Sequence, residues 1–143
     1  MKIFISGVMQ GSIKGAGIQE QSYRQRITEM IKNSHPEIEI IDPILLFPGS
    51  VDFDEEKAKE VLFHLVATAA EADMIVAYLP EASMGSAMEM LRAYDQGKPI
   101  VTISPMNKNW FLLAVSDFIF PSFDALDVWF QQTDLEVWVS ERN

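Results

Sequence analysis

Strand-length apolar runs alternate with helix-period stretches along the whole chain, and this alternation constrains the fold more than any other feature of the sequence. The runs are Lys2 to Ser6, Ile38 to Ile41, Met74 to Tyr78, Ile100 to Ile103 and Asp117 to Phe120. Between them, apolar residues recur at the three-and-four spacing of a helix face: Tyr23, Ile27, Met30 and Ile31 within Gln19 to Asn33, and Val61, Leu62, Leu65, Val66 and Ala69 within a helix capped by Asp52 or Asp54 and running to about Ala72. Further helices are expected over Gly85 to Gln96, closed by Gly97, over Trp110 to Val115, and from Ser122 to about Val137. Strands that alternate with helices pair in parallel, with helices on both faces. The expected architecture is a flavodoxin-like three-layer α/β/α fold around a five-stranded parallel sheet of order 2-1-3-4-5, with residues 1–143 forming one domain.

Charge and composition then remove several classes of function. The chain carries a formal net charge of −10, and a nucleic-acid polymer is bound by replacing its counterions with Lys and Arg, so no such partner is expected. There are no cysteines, which excludes disulfides, zinc thiolates and a Cys nucleophile. The apolar start, Met1 to Gly7, is too short for a signal-peptide core, and no apolar run approaches a membrane span. A cytoplasmic protein with no membrane partner is the expectation. No His pair or carboxylate cluster has metal-ligand spacing, so neither a metal nor a cofactor is expected.

In sheets of this class ligands sit at the carboxyl ends of the strands. Three loops lie there. After the first strand come Ser6, Gly7, Val8, Met9, Gln10, Gly11 and Ser12, opening a glycine-rich loop through Gly17; it lacks the Lys-Ser/Thr of a P-loop. Flexible connection and phosphate or sugar binding both remain open readings of it. After the third strand come Ser83, Met84, Gly85, Ser86 and, one turn inside the helix, Glu89. Ser83 or Ser86 can cap that helix, Gly85 can let the chain enter it closely, and the helix dipole favours a carboxylate at this end. Glu89 reads either as a solvated helix residue or as a nucleophile or general base. Ser104 to Asn109 is the third loop. Met84, Met88 and Met90 read as packing, His64 as a partly buried and satisfied histidine, and His35 as a surface residue.

The residues of these loops resemble the nucleoside 2-deoxyribosyltransferase superfamily, which includes the 2′-deoxynucleoside 5′-phosphate N-hydrolases. The resemblance is carried by Ala72 to Pro80, Ser83 to Met90, Gln96 to Ile100 and Asn109 to Asp117, and more loosely by Phe4 to Gly7. It implies cleavage or transfer at the N-glycosidic bond of a nucleoside or nucleoside 5′-monophosphate, with Glu89 as the nucleophile. It implies substrate contacts from Ser6, Gly7, Gly11, Ser83, Gly85, Ser86 and Asn109. It further implies a homodimer or larger homo-oligomer in which Asn109 reaches a neighbouring subunit's site. Ser83 stands where the phosphate-hydrolysing members carry Ser and the transferases Asp, which points to a 5′-phosphate. One position departs: Leu65 replaces the family's Asp that helps the base to leave. Either His64, Asp52 or Asp54 takes that part, or the chain is a degenerate member that binds a nucleotide without cleaving it. Ser116 is the nearest match to a serine that the hydrolases contribute from a partner. A fold without any ligand is the third reading, and the Ser and Gly clustered at the strand ends argue against it.

Overall fold

A computed structural model describes residues 1–15 and 17–142, apart from the side chain of Val51. Five parallel strands form one sheet of order β2-β1-β3-β4-β5: β1 (Lys2–Gly7), β2 (Glu39–Ile41), β3 (Met74–Tyr78), β4 (Ile100–Ile103) and β5 (Phe118–Phe120). The parallel direction is that expected from the alternation, and the order is that of the expected flavodoxin-like topology. The helices are α1 (Ser22–Ser34), α2 (Pro43–Leu46), α3 (Glu55–Glu71), α4 (Met84–Asp95), α5 (Trp110–Val115), α6 (Phe123–Gln132) and α7 (Leu135–Ser140), with one 3-10 turn at Ser50–Asp52.

Strand pleating divides the interior into two cores. Ile3 and Ile5 of β1 face one side, where they pack with Ile27 and Ile31 of α1, Leu126 and Phe130 of α6, and Leu135 of α7. Phe4 faces the other side, with Val61 and Leu65 of α3, Met90 of α4 and Leu112 of α5. Because side chains alternate along a strand, Ser6 shares the face of Phe4 and lies under α3 and α4, while Gly7 lies under α1.

Several expectations need correction. Asp42-Pro43 opens a helix rather than a loop: Asp42 Oδ1 accepts from the Ile44 N–H at 3.0 Å, and Pro43 occupies the first helical position, where its missing N–H costs nothing. The final helix is two. Its buried anchors run Leu126, Phe130 and then Leu135, and a five-residue step cannot stay on one face of a continuous helix. The chain breaks at Thr133, and Asp134 caps α7 by accepting from the Val137 N–H at 3.1 Å. α1 starts at Ser22 rather than Gln19, because the Gln19 N–H donates to the Met9 carbonyl and Gln21 Nε2 to the Val8 carbonyl in the preceding loop. His64 is exposed, edge-on to Phe47, whereas His35 is half-buried with Nε2 3.0 Å from the Phe130 carbonyl. Met90 packs in the core, but Met84 and Met88 are exposed on the outer side of α4.

Candidate active site

The carboxyl end of β1 gathers an unusual set of polar side chains beneath the protein surface. Glu89, on the inward face of α4, is only 6% exposed. Fully buried Ser6 donates from Oγ to Glu89 Oε2 at 2.6 Å. Burial pushes the Glu89 carboxyl up to about 7; the Ser6 hydrogen bond and the Arg24 charge pull it back only in part. Neither its placement in the first turns of α4 nor these partners restore ordinary acidity. A carboxyl poised near neutrality in a closed polar site is a candidate for chemistry rather than for solubility.

The other side of the β1 terminus is fully partnered. Arg24 is buried on α1, next to Tyr23 in the apolar stripe. Its Nη1 donates to the Ile5 carbonyl at 2.9 Å and to Asp42 Oδ1 at 3.3 Å, and its Nε donates to Gln21 Oε1 at 2.8 Å. Tyr23 lies across Gly7, where any Cβ would collide with its ring. Its ring meets that of Tyr78 at 4.7 Å between centroids, and burial raises its phenol well above the usual range. Gly7 therefore holds the strand end open for an aromatic ring.

The loops after β1 and β3 are tied to each other. Glu81 accepts from Gln19 Nε2 and from the Ser12 N–H. Gly11 turns at φ 57° directly against Glu81, where a side chain would have neither the conformation nor the room. Ser83 caps α4, its Oγ accepting from the Ser86 N–H at 3.3 Å. Ser86 Oγ is buried and has no hydrogen-bond partner among the described residues. It stands three residues before Glu89, on the same helix face. Gly85 is not forced by close approach, since a Cβ there would meet Leu62 Cδ1 at an ordinary 3.8 Å.

The structure thus pairs Ser6 with Glu89 at the end of β1, with Gly7 beside Ser6 in the chain and buried Ser86 one turn before Glu89, and joins Gly11 to the β3–α4 loop, which ends at the cap Ser83; Gly85 lies in the first turn of α4. Asn109 stands apart, exposed, capping α5 by accepting from the Leu112 N–H at 3.2 Å. Ser116 is paired with Thr102 at 2.8 Å within its own chain. Tyr23, Arg24, Asp42, Gln19 and Glu81 were not expected. Arg24 had a legible signal: with Ile27 and Ile31 it shares the buried face of α1. The pairing of Asp42 with Arg24 and the bonds of Glu81 had none, because those partners lie 18 to 69 residues away in sequence.

Beside this cluster lies an apolar cavity of about 150 Å³ lined by residues such as Met9, Ile18, Phe47, Phe53, Leu62 and Leu65. Glu89 is not among its lining residues; two of the lining residues have neighbours in the Glu89 cluster. Met9 follows three residues after Ser6, and Leu62 lies against Gly85, one turn ahead of Glu89. Among the described residues no cluster of three or more His, Asp or Glu is placed to hold a metal ion, and no helix is long and apolar enough to cross a membrane.

Fold and cluster together define a flavodoxin-like α/β/α protein with a buried carboxyl at the switch point of its sheet, between β1 and β3. No protein-family model matches the sequence, and no curated protein does. Solved structures do match. A 2-deoxyribosyltransferase from Bacillus psychrosaccharolyticus is 15% identical, with 96% of this chain and 95% of that one covered and a TM-score of 0.70. A conserved protein from Enterococcus faecalis is 17% identical, covering 92% and 97%, with a TM-score of 0.65. A CMP N-glycosidase from Clostridium botulinum is 16% identical, covering 95% and 99%, with a TM-score of 0.53. At such identities the likeness establishes the shared fold.

Proposed function

We propose that the protein cleaves or transfers the N-glycosidic bond of a nucleoside or nucleoside 5′-monophosphate, with the Glu89 carboxylate attacking the anomeric carbon. The observation that carries this reading is the buried Glu89–Ser6 pair at the end of β1, one helical turn after a buried Ser86 hydroxyl that has no partner among the described residues. Two of the structural neighbours act on such bonds by name. The first step displaces the base through an oxocarbenium-like state and leaves a glycosyl ester on Glu89; water or a second base then resolves it with retention. Ser6 positions the carboxylate. Ser83, Ser86 and the α4 N-terminus offer hydroxyls and a backbone N–H to a 5′-hydroxyl or 5′-phosphate, and Ser6, Gly7 and Gly11 shape the opposite loop. Since Glu89 is closed off, a sugar reaches it when the β1–α1 or β3–α4 loop, tied through Glu81, gives way.

The layer formed by α3, α4 and α5 carries Phe63, Met84, Met88, Leu91, Trp110 and Leu113 on its solvent side, with Met84 and Trp110 85% and 87% exposed. Apolar patches of this kind mark association surfaces. A second copy of the chain seated there, with Asn109 beside it, is the oligomer this reading calls for. Sedimentation of the wild type as a monomer at micromolar concentration would remove that part.

The test is base release from 2′-deoxycytidine 5′-monophosphate and from cytidine 5′-monophosphate, followed by chromatography, for the wild type and Glu89→Gln. Release by the wild type and its loss in Glu89→Gln support the reading. Equal release by both ends it. Stabilisation by nucleotides without release in either would favour the binding-only alternative that Leu65 raises.

A further inference from the structure

The apolar cavity sets a chemical condition on whatever base it takes. A base leaving as an anion needs a proton, and a positioned general acid supplies a rate factor of about 10²–10⁴. No residue lining the cavity is an Asp, Glu, His, Lys, Arg or Tyr; its polar lining side chains are Gln10 and Ser50, both neutral. Leu65 is buried against the second core. His64 is exposed outside the cavity, against Phe47; Asp52 is exposed and does not line the cavity; and Asp54 is exposed and engaged as the cap of α3. The space, about 150 Å³, is of the order that accommodates one benzene-sized ring.

Resting on the reading of Glu89 as the nucleophile, we propose that this cavity seats a base that is already cationic, a pyridinium carboxamide of the nicotinamide type. A six-membered ring fits the volume. Phe47 and Phe53 offer aromatic surface to a cation, and Gln10 and Ser50 match a neutral carboxamide in hydrogen-bonding character. Exposed Asp52 and Asp54 flank Phe53 on a chain of net charge −10, which favours entry of a positive ring. The electron count needs no acid. Glu89 forms a C1′–O bond as the C1′–N bond breaks, the bonding pair neutralises the ring nitrogen, and neutral nicotinamide departs without a proton. Water then attacks C1′, freeing the Glu89 carboxylate and the sugar with release of one proton.

The test compares nicotinamide mononucleotide with cytidine 5′-monophosphate, which share ribose and 5′-phosphate and differ in the charge of the base. The wild type is expected to release nicotinamide with a kcat/KM at least about 100-fold above that for cytosine, the lower bound of the missing acid. Leu65→Asp is expected to narrow that ratio by raising cytosine release; should it not fold, the wild-type ratio alone decides. Glu89-dependent release of both bases at similar kcat/KM would overturn the cationic-base proposal and leave the nucleophile in place. Release of neither base, or release unchanged in Glu89→Gln, would overturn both.

Discussion

Two buried charged side chains flank the carboxyl end of β1, and they are provided for in opposite ways. On the α1 side Arg24 has two backbone carbonyls, a carboxylate and an amide oxygen around its guanidinium. On the α4 side, among the described residues, the Glu89 carboxyl has one neutral hydroxyl as a hydrogen-bond partner, and Ser86 one turn before it has none. A fully paired buried ion is part of the frame. An under-partnered acid is a cost that folding alone does not explain. The contrast separates the residues that hold β1 in place from those to which the proposed function assigns a ligand.

The largest effect is expected from breaking the satisfied side. Arg24→Met leaves the mostly buried Asp42 carboxylate without its charged partner and removes the guanidinium from the Ile5 and Gly7 carbonyls, and urea denaturation should show a loss of roughly 3–5 kcal/mol. A loss under 1 kcal/mol would mean that Arg24 is not the frame residue described. The opposite sign is expected on the other side. The Glu89 carboxyl is raised from 4.5 to about 7, so the folded state binds the proton more tightly than the unfolded state. Its penalty is absent below about pH 4.5, grows as pH rises, and is complete above about pH 7. At pH 8 Glu89→Gln should therefore be the more stable protein by up to about 3 kcal/mol, with the gap closing at pH 4.5. A gap independent of pH would contradict the assignment.

Smaller effects sharpen the comparison further. Ser86→Ala removes a buried, unpaired hydroxyl and should leave stability unchanged or raise it by up to about 1 kcal/mol, while weakening nucleotide binding in calorimetry. Glu81→Gln should move stability by less than about 1 kcal/mol, since its partners are partly exposed, but should change KM by loosening the two loops. An effect of Ser86→Ala on stability alone would place that residue in the frame instead.

The same contrast explains what was legible in the sequence. The strands, the helices and their parallel pairing follow from periodicity, because the runs at Lys2, Met74 and Ile100 are strand-length and the stripes of α1 and α3 keep helical spacing; the order 2-1-3-4-5 is one choice among the few topologies that right-handed crossovers leave. Ser83 as the cap of α4 was legible because the β3–α4 turn is local and carries its own capping pattern; Glu89 and Ser86 were singled out from that turn together with the family resemblance. The environment that shifts Glu89 was not, since Ser6 is 83 residues away and Arg24 comes from another helix. Asp42-Pro43 was misread as a loop although its capping residues were visible, because four residues show no periodicity. The break at Thr133 lay in the spacing of Phe130 and Leu135, a single-residue slip of the apolar stripe. The outward turn of Met84 and Met88 depends on how α4 is rotated against α3, which composition does not encode.

The most direct measurement is peptide mapping by mass spectrometry of enzyme quenched in acid during turnover with a cleavable nucleotide. A glycosyl adduct on the peptide containing Glu89, absent from Glu89→Gln, is the expected result. Base released at full rate with no adduct, or with the adduct on another carboxylate, would contradict a nucleophile at the end of β1.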